Sequence, residues 1–174
     1  IDGQHAFNAL LRNNMDIPYV TIKIDNKVQL VESIALLNAS SKNWTLLDYI
    51  TSWSCVSEDY KKLLHYYNVY DLELGNIAVV LMERNTDNGN ITKAIKRGQF
   101  KVVNEEKNVK ILDCLTDVLS ILPRMNRFEN KYVCSEYVQF YRKNPDYNHQ
   151  QFLTNLKKKR AKFILATQEP TKLS

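Results

Sequence analysis

Apolar side chains recur every three or four positions along most of this chain. In the first stretch Phe7, Leu10 and Leu11 fall on one side of a helix that ends at the Asn13-Asn14 pair. Prolines interrupt two later patterns, at positions 123 and 145. The spacing predicts helices over residues 4–14, 29–37, 45–53, 57–68, 74–83, 105–122, 128–143 and 148–163.

A different pattern lies between the first two predicted helices. Val20, Ile22 and Ile24 alternate with polar residues, which predicts a strand over residues 19–24. Polar loops are predicted over residues 38–43 and 85–90. A strand among helices in the first half, followed by helices alone, predicts an α+β fold: an α/β domain over residues 1–84 and a mostly helical, basic region over residues 91–174.

Composition narrows the class of protein. The 174 residues are 44% hydrophobic and 25% charged, which is typical of a globular protein with its own core. No apolar run reaches the roughly 18 residues of a membrane span, so no membrane association is expected. Cys55, Cys114 and Cys134 form no metal-ligand motif and favour reduced thiols in the cytoplasm. Because the chain starts at Ile1 without an initiator Met, we expect one or more strands to precede it.

Charge is distributed unevenly along the chain. Residues 1–90 carry 7 basic and 11 acidic side chains, whereas residues 91–174 carry 17 and 8, for a net charge of +5. A basic half is expected to face a polyanion such as DNA, although a basic run is also typical of a solvated helix end. Tyr66, Tyr67 and Tyr70 are interpreted as the core and rim of a helical hairpin. The predicted nucleic-acid-binding residues are Lys96, Arg97, Lys157, Lys158, Lys159 and Arg160.

A turn motif and a polar run carry a resemblance to a known family. Asp2-Gly3-Gln4-His5 opens the first predicted helix, and the run LLNASSKNWTLLDYITSW follows at residues 36–53. This ordered set resembles the ParB-like superfamily, in particular its DGQHR branch of phage or plasmid type. The resemblance implies a small α/β fold shared with sulfiredoxin, in which a glycine turn and the following helix bind phosphate groups. The N-terminus of a helix suits such an anion.

The resemblance also implies a site. Asp2 and His5 are the implied catalytic pair, with Asp2 as ligand of Mg²⁺ beside a nucleoside triphosphate. The alternatives are a helix N-cap for Asp2 and a structural hydrogen bond for His5. Trp44 and Asp48 are expected to pack against and cap the next helix. The resemblance implies phosphate or nucleotide binding by Gly3, Gln4, His5, Asn38, Ser40, Ser41 and Lys42. The alternative for the last four residues is a solvated loop.

One position departs from the family pattern. The motif continues with arginine in the family but with Ala6 here, so a bidentate phosphate contact is missing. The expected function is phosphate binding on DNA in a bacterial host, dependent on a nucleotide, with nuclease or hydrolase activity impaired by Ala6. The alternative is a non-enzymatic phage structural or interaction protein, and self-association stays open in both. A sulfiredoxin-like reductase is disfavoured because Gln4 stands where the reactive cysteine is expected.

Overall fold

The computed structural model describes residues 4–16, 21–41, 44–84, 88–122 and 125–168. All eight helices expected from the apolar spacing are present, with ends shifted by a few residues, and Asn88–Lys96 is an additional one. The described residues form α1 (Gln4–Arg12), α2 (Lys27–Ser41), α3 (Leu46–Ser54), α4 (Glu58–Val69), α5 (Leu74–Leu81), α6 (Asn88–Lys96), α7 (Glu105–Ile121), α8 (Arg127–Lys143) and α9 (His149–Gln168).

The expected α+β fold is wrong. The described ranges contain no strand, and residues 21–25 have no regular secondary structure, while residues 19 and 20 lie outside those ranges. Ile22 and Ile24 are 54% and 38% exposed. Alternation of apolar and polar residues is a local property, whereas a strand is stable only when other strands pair with it. With no pairing strand among the described residues, a sulfiredoxin-like α/β unit is not supported.

Two predicted loops are helical where the structure describes them. Helix α2 continues through residues 38–41, and α6 begins at Asn88, inside the loop expected over residues 85–90. Asparagine and serine lower helix propensity by only a few tenths of a kcal/mol each, so a helix already formed can extend through them. Lys93 and Lys96 in the last turn of α6 also interact favourably with the helix dipole.

Helix α5 lies at the centre of the fold. Its residues from Asn76 to Leu81 are all buried, and they are almost entirely apolar. A helix that is apolar on every side is stable only when protein surrounds it. The helices α4, α6, α7 and α8 pack around α5, so this helix joins elements from both sides of the domain boundary predicted near residues 84–91.

The outer helices each bury one stripe. On α7 the buried positions follow helical spacing from Asn108 to Ile121, and α9 packs on α7 with Leu153 as its buried residue. Helix α3 packs on α4 and α6, and α2 packs on α3. One hydrophobic core therefore extends from α2 to α9. Among the described residues, no helix combines the length and apolar character needed to cross a bilayer.

A left-handed glycine ends α6 beneath a tryptophan of α3. Gly98 has φ of +73°, and a Cβ atom added to it would lie 2.7 Å from the Trp53 ring. Trp53 is 4% exposed, and its Nε1 donates to the carbonyl oxygen of Lys96 at 3.4 Å. Tyr60 of α4 donates its hydroxyl to the carbonyl oxygen of Ile95 at 2.8 Å. Helices α3 and α4 thus fix the end of α6.

The start of α3 confirms the structural roles expected for Trp44 and Asp48. Thr45 is the N-cap, and its Oγ1 accepts the backbone N–H of Asp48 at 3.3 Å. The Asp48 carboxylate in turn accepts the backbone N–H of Thr45 at 2.7 Å, which completes a capping box. The Trp44 ring meets Tyr49 edge to face, with centroids 5.0 Å apart.

Candidate nucleic-acid interface

The structure describes no side chain of the phosphate site implied by the family resemblance. Asp2, Gly3 and Lys42 lie outside the described residues. Gln4 and His5 lie in the first turn of α1, and the three polar residues at 38, 40 and 41 lie in the last turns of α2, where only the backbone is described. Catalysis, nucleotide binding and Mg²⁺ binding by these residues therefore stay predictions. Among the residues with described side chains, no group of three His, Cys, Asp or Glu could hold a metal ion.

Three lysines of the basic second half are paired with nearby carboxylates. The ammonium group of Lys101 lies 3.1 Å from Asp59, and that of Lys110 lies 3.0 Å from Glu106. Lys107 lies 3.5 Å from Glu83, whose pKa is lowered by a hydrogen bond from Asn104 and by the charge of this lysine. These ion pairs are at the surface and contribute little stability, but they cancel charge that the sequence counts as available.

Glu105 joins the start of α7 to α4. Its carboxylate accepts hydrogen bonds from Lys62 and, at 2.8 Å, from the hydroxyl of Tyr66, and these bonds lower the pKa of Glu105. Tyr70 donates to Asp113 of α7 at 2.6 Å. Tyr66 and Tyr70 are both half-buried against the core. Tyr67 is half-buried as well, so the rim part of the interpretation is confirmed, whereas none of the three tyrosines is a buried core residue. The hydroxyl groups of Tyr66 and Tyr70 connect this rim to α7.

The lysines of α9 have a different environment. Lys157, Lys158 and Lys159 are exposed, and no described carboxylate lies within ion-pair distance of them. Consecutive residues on a helix are 100° apart, so the three ammonium groups spread over about 200° of the helix surface. The side chain of Arg160 is not described, although its backbone continues α9. This cluster presents three uncompensated positive charges to solvent.

A hydrogen-bonded network holds the start of α9 against α7 and α8. His149 Nε2 lies 3.1 Å from the carboxylate of Asp117, and its Nδ1 lies 2.6 Å from the hydroxyl of Tyr147. That hydroxyl also bonds to the hydroxyl of Tyr137 on α8. Burial is the main cause that raises the pKa of Tyr147 to about 12. The Phe152 ring meets that of Tyr147 edge to face, with centroids 5.7 Å apart, and packs at a tilt on Tyr137, which orients the helix that carries the lysines.

This network could not be found from the sequence. Asp117, Tyr137 and His149 are separated by 12 to 32 positions along the chain, and no motif spacing connects them. The sequence offered only a lone histidine near the start of a helix. The tertiary packing of α7, α8 and α9 brings the three side chains together.

The other two predicted DNA-binding residues lie at the end of α6. Lys96 and Arg97 are exposed, and no described carboxylate pairs with either. The Lys96 ammonium lies over the ring of Tyr49, 5.4 Å from its centroid, which is within the range of a cation–π contact. Helix α6 packs on α3 and α5, whereas α9 packs on α7, so the predicted basic residues occupy two separate helices of the bundle.

Two of the three cysteines, Cys114 and Cys134, are not activated nucleophiles. All three are free, and Cys134 is buried on α8. Burial raises the pKa of Cys134 to about 12, and burial also raises the pKa of Cys114. Thiols with raised pKa values are protonated at neutral pH and react slowly.

Comparison of the chain with models of protein families, with curated proteins and with solved structures found no match. The resemblance to the ParB-like superfamily therefore stays a prediction from the motif residues alone.

Proposed function

We propose that this chain binds duplex DNA through the phosphate backbone, with the lysines of α9 as the main contact and the end of α6 as a second one. The observation that carries the proposal is the contrast between two sets of lysines. Lys101, Lys107 and Lys110 each have a carboxylate partner, whereas Lys157, Lys158 and Lys159 have none among the described residues. Uncompensated charges on a helix with a fixed orientation are available to neutralise phosphates.

The network at the start of α9 supports the same proposal. Contacts to phosphate are stronger from a rigid element, because ordering a mobile one costs conformational entropy. His149, Tyr147 and Tyr137 fix the first turn of α9, so the lysines two to three turns later keep their position relative to the core. Binding of this kind is independent of base sequence and sensitive to salt.

The test compares two triple variants with equal loss of charge. In the first, the lysines at 157, 158 and 159 are replaced with glutamine; in the second, the paired lysines at 101, 107 and 110 are replaced. Fluorescence anisotropy with a mixed-sequence duplex of about 30 base pairs is recorded over a range of salt concentrations. For the α9 variant we expect weaker binding and a slope of log K against log salt that is shallower by about 2.7, since each phosphate contact contributes about 0.9.

The control variant separates position from net charge. If the paired lysines do not face DNA, their replacement leaves the slope close to that of the wild type. Equal loss of affinity in both variants would mean that only net charge matters and would contradict an interface on α9. An unchanged slope in the α9 variant would also refute the proposal. Circular dichroism confirms that both variants keep the helical fold.

A further inference from the structure

A cleft of about 1020 Å³ lies where α5 begins, between the end of α7 and the start of α8. Its volume is at the upper end of the range of small-molecule sites, which is about 300–1,000 Å³. The cleft has no connection with the basic residues of α6 and α9, none of which lines it. Much of its wall is apolar and is formed by Leu46, Tyr67, Leu72, Leu119, Leu122 and Met125.

One buried amide in the wall has no partner. Asn76 lines the cleft and is 9% exposed, and its Nδ2 has no hydrogen-bond partner among the described residues. A buried donor without an acceptor destabilises the folded state, so native structures contain few of them. An apolar residue of similar size would suit the otherwise apolar helix α5 better. A rotation of this side chain would bring a donor without a partner to the wall of the cleft.

The backbone beside Asn76 adds further donors. The N-cap residue Glu73 makes no side-chain capping bond, and its carbonyl oxygen accepts from the N–H groups of Asn76 at 2.9 Å and of Ile77 at 3.2 Å. The N–H groups left to donate at the start of α5 are those of Leu74 and Gly75. Gly75 leaves this turn accessible, since a Cβ atom added there would meet nothing within 4 Å. The positive end of the helix dipole favours a negatively charged oxygen at this position.

Charged side chains of both signs surround the same opening. Lys131 on α8 lines the cleft, is exposed, and has no carboxylate within ion-pair distance among the described residues. Asp71 and Glu73 line it as well. Two carboxylates disfavour a simple anion but favour a ligand that carries an ammonium group next to its carboxylate.

We propose that this cleft binds a small zwitterion with an apolar side chain, either a free amino acid or a dipeptide. The ligand carboxylate accepts from the Asn76 amide, which turns into the cleft, from the first turn of α5, and from Lys131. The ammonium group lies toward Asp71, and the side chain contacts the apolar wall. This site is independent of DNA binding.

The test uses the full chain and defined probes. Isothermal titration calorimetry measures binding of L-phenylalanine and of L-leucyl-L-phenylalanine, which distinguishes the two sources of the zwitterion. N-acetyl-L-phenylalanine lacks the ammonium group, and phenethylamine lacks the carboxylate. We expect saturable binding of at least one zwitterion and affinity at least ~10-fold weaker for both truncated probes.

Two variants assign the binding to the cleft. Asn76→Leu is expected to weaken zwitterion binding at least ~10-fold and to raise the thermal midpoint of the apo protein by about 2–10 °C, because it removes an unpaired buried amide. Lys131→Met, at an exposed position that tolerates replacement, is expected to weaken binding as well. Lys143→Met removes an equal charge from α8 outside the cleft and should leave binding unchanged.

Four outcomes would overturn the proposal. These are no saturable binding of either zwitterion up to about 10 mM, equal binding of the truncated probes, binding by Asn76→Leu equal to that of the wild type, or a lower thermal midpoint for Asn76→Leu. The last result would mean that the amide has a structural partner. DNA affinity of the same variants stays at the wild-type level if the two sites are separate.

Discussion

Replacement of Gly98 by alanine should destabilise the fold, whereas the same replacement at Gly75 should not. The backbone at Gly98 has φ of +73°, a conformation that costs a residue with a Cβ atom about 1–2 kcal/mol. The new Cβ would also lie 2.7 Å from the ring of Trp53, which is 4% exposed and packs on the ring of Tyr60. Overpacking of this kind costs about 1–3 kcal/mol. The expected loss in unfolding free energy is therefore about 2–5 kcal/mol.

Gly75 provides the matched control. A Cβ atom there meets nothing within 4 Å, and the residue lies within α5, so Gly75→Ala should stabilise the protein by about 0.5–1 kcal/mol. Urea unfolding followed by circular dichroism measures both changes. With a slope near 2 kcal/mol per M, the Gly98→Ala midpoint should fall by about 1–2.5 M and the Gly75→Ala midpoint should rise slightly. A Gly98→Ala midpoint equal to that of the wild type would refute the role assigned to Trp53.

Two other predictions concern local contacts. Thr45→Ala removes the capping box of α3 and should lower the free energy of unfolding, measured in urea, by about 1 kcal/mol. Ser57→Ala should have almost no effect, because Ser57 makes no side-chain capping bond. Equal losses in the two variants would contradict this prediction. Hydrogen bonds from Lys62 and Tyr66 lower the pKa of Glu105 from its usual value of 4.5. The ionised Glu105 therefore contributes its full stabilisation of the fold above pH 4.5, and this stabilisation is lost as the pH falls below 4.5. As the pH is lowered from about 5 to about 3, the thermal midpoint of Glu105→Gln should therefore fall less than that of the wild type. Equal falls in the two proteins would refute the stabilising role of Glu105.

Helices were predictable from this sequence because their signal is local. The apolar spacing of residues 105–122 and the capping role of Asp48 depend on residues within a few turns of chain, and both appear in the structure as expected. The prediction of a strand at residues 19–24 was wrong because a strand is not determined locally. Its alternation is equally regular, but a strand depends on a partner elsewhere in the chain, and the exposure of Ile22 shows that its described part packs on none.

The candidate sites were only partly predictable. The basic residues of α6 and α9 could be named from charge counts, but ion pairing that cancels the charges of Lys101, Lys107 and Lys110 depends on contacts across the fold. The cleft at α5 had no sequence signal at all. In the sequence Asn76 is one polar residue in an apolar helix. Only the packing around it shows that its Nδ2 atom is buried without a partner among the described residues.

The sequence by itself determined eight of the nine helices in the described residues, the capping role of Asp48 and the basic character of the second half, because each of these properties arises from neighbouring residues. The tertiary structure alone decided that α5 is the central helix, that Gly98 lies under Trp53, and that His149 connects Asp117 to Tyr147. These features depend on contacts between residues far apart in the chain. Such contacts form only when the helices pack and exclude water, so no local pattern encodes them.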